Sequence, residues 1–212
     1  MSESFNFSKK HSDEPFGEVV ESQISKLVIE CWDYKNVPDF ASLVKIKCPW
    51  GEVFGSVVGM KTGPIHSSRQ PFAYRLSFEQ LSIQQPQVFK LIGTWIEVKI
   101  FAYRPDEESL QEPVFGLPPK LCMIHSFACQ VSDVEFVKFC LKPMFFTKLL
   151  SGLDADIDID QLAKSLILRL SKLKKLDFQF FESFYDQYSN VSGVDSRRIR
   201  FLLRDFEGIS KE

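Results

Sequence analysis

The chain has 212 residues, of which 44% are hydrophobic and 25% are charged, and its formal net charge is −2. This composition is typical of a globular protein, and the near-neutral balance argues against a bulk polyanion binder without excluding a local basic patch. The apolar runs stay well below the ~18 residues that a membrane span requires. Residues 1–14, MSESFNFSKKHSDE, are polar, lack the hydrophobic core of a secretory signal and predict a flexible tail.

The first part of the chain favours strands. Residues 17–21 and 26–30 mix β-branched and polar side chains. The 43–47 run alternates at period two, which places Leu43 and Val44 on opposite faces of a strand. Short strands of this kind are typical of a sandwich or a barrel.

A glycine in the next strand favours the barrel. The predicted strand 52–60 contains Gly55, and a glycine inside a strand often marks a bend or a close backbone approach in a curled sheet. A helical insert is predicted over 77–93, where Ser77 begins a capping box. Residues 94–104 then return to a strand pattern.

From about residue 132 the period changes to that of helices. Ser132 has capping-box spacing, and Pro143 should stop or restart the helix that follows. A last helix is predicted over 196–206. Between these two helices, two apolar stripes predict two further amphipathic helices. The stripes are Leu162, Leu166, Ile167, Leu170 and Leu173 in the first helix, and Phe178, Phe181, Phe184, Tyr185 and Tyr188 in the second.

These patterns predict an α+β protein. A small antiparallel β-barrel is expected at 15–130, with the helical insert 77–93, followed by an α-helical domain at 131–212. We expect the helical part to pack its leucine and phenylalanine faces into a core of its own. Phenylalanine is unusually frequent, with 21 residues. Because it is a packing residue, a phenylalanine-rich core is the main interpretation, and an exposed aromatic patch is the alternative.

The cysteines indicate a compartment. There are five, Cys31, Cys48, Cys122, Cys129 and Cys140. An odd number without C-x-x-C spacing fits neither a disulfide framework nor a zinc site. Most of them have apolar or aromatic neighbours, which is typical of buried thiols. We therefore expect a reducing compartment, most simply the cytoplasm.

Three short runs follow one another in an order that resembles a known module. They are FGEVVE at 16–21, FASLVKI at 40–46 and VFGSVV at 53–58. They look like the strand progression of the HAS barrel, the amino-terminal module shared by HerA-type DNA translocases and the subunits of rotary ATP synthases. The resemblance is strongest to stand-alone barrel proteins of cyanobacterial type, which are also similar to this chain at TGPI, 62–65, and RQPFAY, 69–74.

The resemblance implies a barrel that docks a partner but lacks the ATPase domain of its relatives. In the relatives the barrel holds subunits in a ring or docks a partner, and a nucleotide-binding domain follows it. This chain has neither a G-x-x-x-x-G-K-[ST] loop nor a common catalytic signature. We therefore expect a non-enzymatic binding or assembly factor with no cofactor and no small-molecule substrate. The expected partner is a protein, and a ring ATPase or an ATP synthase component is the class that the resemblance suggests.

The connection 61–76, KTGPIHSSRQPFAYRL, is the predicted partner-binding element. Loops displayed on a rigid barrel commonly carry binding residues. The alternative is a structural cover that packs its aromatic residues over one end of the barrel. The candidate binding residues are Lys61, His66, Arg69, Gln70, Tyr74 and Arg75.

Nucleic-acid binding is the alternative function. Small barrels bind oligonucleotides, and basic helices contact phosphates. Most basic runs of this kind are solvated helix faces, and the sequence does not show whether these converge in space. The candidate RNA- or DNA-binding residues are Arg169, Lys172, Lys174, Lys175, Arg197, Arg198, Arg200 and Arg204.

Catalysis and metal binding have weaker support. An enzyme would need His66 or His125 beside a carboxylate in a pocket. The run Asp154–Asp160, DADIDID, starts like a calcium loop, but Ile159 stands where that loop needs glycine and Ser165 where it needs glutamate. No metal is therefore expected, and the acidic side chains are explained by the positive amino end of the helix that follows them.

Overall fold

The computed structural model describes residues 14–66, 72–106, 112–174 and 176–191. Apart from Glu14, the tail predicted over 1–14 lies outside these residues, as does the helix predicted over 196–206. The described strands are β1 (Pro15–Ser22), β2 (Lys26–Cys31), β3 (Leu43–Cys48), β4 (Gly51–Pro64), β5 (Ile92–Pro105), β6 (Val114–Phe115) and β7 (Phe127–Gln130). The described helices are α1 (Phe78–Gln84), α2 (Asp133–Cys140), α3 (Phe145–Leu150), α4 (Ile159–Leu173) and α5 (Phe178–Ser189).

Six of these strands form a closed antiparallel barrel. The hydrogen-bonded order is β2, β1, β7, β3, β4 and β5, and β2 pairs with β5 from Lys26↔Lys99 to Cys31↔Thr94, which closes the ring. The short strand β6 lies outside the ring and pairs with β5. The predicted fold class, an antiparallel barrel combined with helices, is confirmed.

The interior of the barrel is filled mainly by aliphatic side chains. A barrel of six strands encloses little space, and valine, isoleucine and leucine side chains fill it. Val44 lies in this interior whereas Leu43 packs on the outer side, as the period-two alternation predicts. The buried aliphatic residues of the interior are Val19, Leu27, Ile29, Val44, Ile46, Val53, Val57, Ile96, Val98 and Ile100.

Gly55 lies where the barrel wall bends. The pairing between β4 and β5 changes register between Phe54 and Gly55. A Cβ atom on Gly55 would lie 2.3 Å from Cγ1 of Val98 and 2.8 Å from the carbonyl oxygen of Lys99. Both distances are too short for a carbon atom, so the prediction of a close approach at this glycine is confirmed.

Helices α2, α3, α4 and α5 cover the outer wall of the barrel and form a second core together with it. Leu43, Phe54 and Phe101 from the wall belong to one buried cluster with residues of α2, α3, α4 and α5. The expectation that the helices form a core of their own is therefore wrong, because the strands also turn large apolar side chains outwards. The division of the chain into domains near residue 131 stays a prediction.

The helix boundaries follow their capping residues. The side chain of Ser77 accepts the Gln80 backbone N–H and the Gln80 side chain accepts the Ser77 N–H, which completes the predicted capping box of α1. Ser132 caps α2 in the predicted position. Pro143 lies between α2 and α3, as expected of a residue that stops a helix. No described helix is long and apolar enough to cross a membrane.

The buried face of α5 differs from the predicted one. Phe184 and Tyr188 are buried as expected, but Phe178 and Tyr185 are exposed, and Phe180 and Gln187 take part in the buried side. Five of the first eight residues of this helix are phenylalanine or tyrosine, so its aromatic arc is wider than its buried face. Spacing alone therefore did not identify the buried face.

Candidate functional site

Strand β4 is longer than the sequence suggests. Lys61 to Pro64 continue the antiparallel ladder with β5, ending at the pair Pro64↔Ile92, and the hydroxyl groups of Thr62 and Thr94 lie 3.1 Å apart. The connection predicted over 61–76 therefore begins only after Pro64. The correction has a physical reason, since an edge strand accepts a proline at its end without losing a ladder bond.

The structure describes four of the six predicted binding residues. Lys61, His66, Tyr74 and Arg75 are exposed. Arg75 has a backbone φ of 56°, an uncommon conformation for a residue with a side chain. The remaining two candidates, Arg69 and Gln70, lie outside the described residues, so their role stays a prediction.

The segment from Phe72 to Leu91, which we call the exposed segment, leaves many large apolar side chains in solvent. Neither α1 nor the 3₁₀ turn Pro86–Leu91 buries a single residue. Phe72 is 75% exposed and Ile83 is 80% exposed. The exposed large apolar side chains of the segment are Phe72, Tyr74, Leu76, Phe78, Ile83 and Leu91.

Three aromatic rings hold the exposed segment against the barrel. The ring of Tyr34, in the connection between β2 and β3, lies 5.6 Å from that of Phe78 and 6.3 Å from that of Phe89. Phe78 and Phe89 are 5.2 Å apart. The Lys35 ammonium group lies 5.8 Å from the centre of the Tyr34 ring. The segment is thus anchored on one side, while much of its apolar surface faces solvent.

A second apolar surface lies on β7 and the stretch before it. Trp32 and Phe127 make an edge-to-face contact at 5.4 Å across β1, and both are exposed. Sequence reasoning missed Trp32, Tyr34 and Phe127. Trp32 and Tyr34 have one signal in the sequence, since they stand on either side of Asp33 directly after a strand. Phe127 has no comparable signal. The other exposed apolar residues of this surface are Leu117, Leu121, Met123 and Ile124.

His125 has a carboxylate neighbour but is largely exposed to solvent. Its Nδ1 atom lies 3.2 Å from Oε2 of Glu18, and the histidine side chain is mostly exposed. The backbone of His125 has a φ of 68° and is fixed by a hydrogen bond from its N–H to the Val19 carbonyl. The contact explains how the turn before β7 is held, and it lacks the enclosed geometry that general acid–base catalysis uses.

Arg169 is occupied inside the fold. Its guanidinium donates to Oδ1 of Asp133 at 3.1 Å and to the Ser42 hydroxyl at 3.3 Å, and it lies 4.5 Å from the centre of the Phe136 ring. It therefore connects α4 to α2 and to the barrel. A second arginine, Arg104 on β5, pairs with Glu52, which also leaves it unavailable to phosphate.

Of the other predicted nucleic-acid-binding residues, the structure describes only two. Lys172 and Lys174 are exposed near the end of α4. The remaining five lie outside the described residues, so their convergence stays a prediction: Lys175, Arg197, Arg198, Arg200 and Arg204.

The acidic run before α4 has structural roles. The Asp158 carboxylate caps the helix by accepting the N–H groups of Asp160 and Gln161. Asp154 lies 3.2 Å from Nζ of Lys26, and this ion pair raises the pKa of Lys26. Within the described ranges no group of three His, Cys, Asp or Glu side chains is arranged to hold a metal ion.

Comparison with known proteins leaves the family open. No protein-family model matches the chain. No curated protein matches it significantly. The resemblance to the HAS barrel therefore depends on the three sequence runs quoted above and stays a prediction.

Proposed function

We propose that the chain is a non-enzymatic binding or assembly factor, and that its barrel presents the exposed segment to a protein partner. The observation that carries this proposal is the concentration of exposed aromatic and aliphatic side chains between Phe72 and Leu91. Soluble monomers seldom leave large contiguous apolar patches uncovered, and such patches commonly mark protein interaction sites.

The chemistry of the segment favours a protein over a nucleic acid. Phe72, Phe78 and Ile83 offer apolar contact area, which is what the core of a protein interface uses. A phosphate backbone would need clustered cations, and α1 carries Glu79 and no basic residue. Arg75 and Lys90 lie within the segment, before and after α1, are exposed and suit the polar rim of an interface.

The rigidity of the support also favours binding. The ladder between β4 and β5 continues to Pro64↔Ile92, directly beside the segment, and the Ile65 N–H donates to the Leu91 carbonyl at 2.9 Å. The three rings of Tyr34, Phe78 and Phe89 fix the other side. A surface held in this way loses little conformational entropy when a partner covers it. The HAS-barrel resemblance makes a subunit of a ring-forming ATPase the first partner class to test.

The decisive experiment compares two phenylalanines with matched exposure. Phe72 in the segment is 75% exposed and Phe178 on α5 is 78% exposed. Tagged wild-type chain, Phe72→Ser and Phe178→Ser are used to recover proteins from native extract, with quantitative mass spectrometry. We expect a partner that Phe178→Ser retains and Phe72→Ser loses by at least about tenfold, the size of effect for an interface anchor.

Controls separate docking from folding and from charge effects. Thermal melts of both variants should match the wild type, because neither side chain is buried. Recovery should survive raised salt, since apolar contacts are not screened, whereas phosphate contacts weaken steeply. A partner recovered equally by Phe72→Ser and Phe178→Ser would contradict the proposed surface. Recovery of nucleic acid that disappears with salt would favour the alternative function.

A further inference from the structure

Strand β4 has an unpaired edge towards its end. On the side that faces β3, the last backbone hydrogen bonds are those of Val57 with Ala41 and Ser42. The strand continues from there to Pro64, and among the residues that the structure describes it pairs beyond Val57 only with β5. We call the β3-facing side of residues 60–64 the free edge.

The ladder with β5 determines which backbone groups point to the free edge. The N–H of Ile65, the residue after Pro64, donates to the Leu91 carbonyl at 2.9 Å, so Pro64 stands in a non-hydrogen-bonded pair with β5. In an antiparallel ladder, hydrogen-bonded and non-hydrogen-bonded pairs alternate. Because the register does not shift between residues 60 and 64, Thr62 and Met60 also stand in non-hydrogen-bonded pairs. Their N–H and C=O groups therefore point away from β5, to the free edge.

Side-chain contacts and exposure agree with this assignment. The hydroxyl groups of Thr62 and Thr94 lie 3.1 Å apart, and side chains approach most closely in non-hydrogen-bonded pairs. Proline has no N–H, so Pro64 at such a position costs the ladder with β5 nothing. Met60, Lys61 and Thr62 are exposed. The free edge thus presents backbone donors and acceptors, at every second residue, to solvent.

The charge of the free edge decides which kind of strand it accepts. An edge with open N–H and C=O groups is matched by the backbone of another extended chain. Lys61 is the one charged residue of the run 60–64, MKTGP. If a second copy paired with the edge, with Met60 opposite Thr62, the two Lys61 side chains would face each other, which is unfavourable. An acidic side chain of a different protein would instead be attracted there.

We propose that the free edge takes an extended segment of a protein partner as an added strand, with an acidic side chain opposite Lys61. The inference rests on the proposed docking function and names the kind of segment that the partner supplies. The two surfaces are close, since Ile65, directly after the free edge, is hydrogen-bonded to Leu91 of the exposed segment. Main-chain hydrogen bonds give such a complex its affinity, and side chains such as Lys61 give it selectivity.

Residue-resolved amide hydrogen exchange on the full chain tests whether the edge is open. In the chain alone, the amides of Met60 and Thr62 should exchange much faster than those of Lys61 and Gly63, whose N–H groups donate to β5. Protection of Met60 and Thr62 at every protein concentration would mean that the chain covers its own edge. Protection that rises with concentration would mean that a second copy covers it. Either result would overturn the proposal.

Random linear peptides displayed on phage serve as the probe for the added strand. Peptides selected on the wild-type chain should carry an acidic residue at a fixed position among β-branched ones, and they should slow exchange at Met60 and Thr62. Thr62→Pro removes an outward N–H and should weaken their binding by about tenfold. Thr94→Val is the matched control, because it loses the same hydroxyl contact and leaves the edge intact. Lys61→Glu should change the selected residue from acidic to basic.

Failure to select any peptide, or equal binding of the selected peptides to Thr62→Pro and Thr94→Val, would contradict the added strand. If Thr62→Pro does not fold, methylation of alternate backbone nitrogens in a selected peptide replaces it, and full binding of every methylated peptide would contradict the proposal.

The added strand and the exposed segment can fail separately. Thr62→Pro is therefore included in the recovery of partners from native extract. A partner that Phe72→Ser loses and Thr62→Pro retains would leave the docking function in place and overturn the added strand. Peptide binding that Thr62→Pro weakens, together with a partner that Phe72→Ser retains, would support the free edge and contradict the exposed segment.

Discussion

Phenylalanines on the helix-covered wall of the barrel and phenylalanines in the exposed segment have opposite environments, although both lie beside strands β4 and β5. On the wall, Phe54 and Phe101 are almost completely buried under α2 and α3. In the segment, Phe72 and Phe78 remain largely in solvent. The residue type is the same, so the two groups differ in whether helices cover them.

The covered group forms one connected set of rings. Phe54 and Phe101 each contact Phe139, at 5.0 and 5.2 Å between ring centres. The contacts continue through Phe145 and Phe146 to the rings of α5. Most of these pairs are edge-to-face or tilted, the geometries that aromatic rings prefer. The barrel wall and the helices are therefore stabilised by the same aromatic contacts.

The exposed group makes fewer ring contacts, and none of them is covered by a helix. Phe72 and Tyr74 contact each other at 5.4 Å, and Phe78 reaches Tyr34 and Phe89. Helix α1 buries none of its seven residues, whereas α4 buries an apolar stripe against the barrel and its neighbouring helices. The comparison teaches that apolar content alone does not define a core, and that an uncovered aromatic group beside a rigid sheet is a candidate interface.

The largest expected loss of stability is on the helix-covered wall of the barrel. Phe101→Ala removes a ring that contacts Phe115, Phe139 and Phe145 and leaves a cavity between the wall and the helices. We expect the free energy of unfolding to fall by about 3–5 kcal/mol. Urea denaturation followed by circular dichroism measures it. Phe178→Ala, in an exposed position, should change the same quantity by less than about 0.5 kcal/mol. Similar losses in both variants would show that the comparison is wrong.

Strand β4 offers a matched pair of glycine substitutions, with an expected effect on stability of intermediate size. In Gly55→Ala the new methyl group overlaps Val98 and the Lys99 carbonyl, so we expect about 1–3 kcal/mol of destabilisation. Gly63 lies on the same strand near the exposed segment, and a Cβ atom there meets nothing within 4 Å. Gly63→Ala should be neutral or slightly stabilising. Thermal melts of the two variants would contradict the contrast if their shifts were equal.

The sequence predicts the barrel through patterns that depend on neighbouring residues. Capping at Ser77, alternation at Leu43 and the glycine at 55 each report a local physical requirement, and all three are confirmed. The short strand β7, which closes the ring between β1 and β3, was not predicted. Its four residues carry too little periodicity, and they become a strand only because two neighbouring edges are available to pair with them.

The candidate site was less accessible to sequence reasoning. Tyr74 and Arg75 were predicted and are exposed, but Tyr34 belongs to a different connection and reaches Phe78 only through the closure of the barrel. Arg169 shows the opposite case. It was predicted as a phosphate contact, and the fold places Asp133 and Phe136 around its guanidinium. Long-range contacts of this kind leave no trace in local spacing.

The third prediction is a smaller loss of stability on substitution of Arg169, which lies between the helices and the barrel. Arg169→Ala removes its hydrogen bonds to Asp133 and Ser42 and its contact with the Phe136 ring. Because the side chain is partly solvated, we expect about 1–2 kcal/mol of destabilisation in urea denaturation. Lys172→Ala on the same helix should be close to neutral. If Arg169→Ala left stability unchanged, the arginine would be a surface charge, as the nucleic-acid hypothesis requires.

The smallest expected effect on stability concerns the anchor of the exposed segment. Phe78→Ala removes two of the three ring contacts that hold residues 78–91 against Tyr34. Because the ring is half exposed and touches no part of either core, global unfolding should change by about 1 kcal/mol or less. The free energy of local opening of residues 78–91 should change more than that of global unfolding. Amide hydrogen exchange should become faster in α1 and in the following 3₁₀ turn, while exchange in the barrel strands stays as in the wild type.

Ile83→Ala on the same helix separates anchoring from binding. Ile83 is 80% exposed, so its loss should leave exchange in α1 unchanged. Both variants should nevertheless recover less partner, Phe78→Ala because the surface is less ordered and Ile83→Ala because contact area is removed. Normal exchange with normal recovery in both variants would mean that residues 78–91 are neither anchored by Tyr34 nor used for docking. Faster exchange spreading into β4 and β5 would instead make the segment a structural part of the barrel.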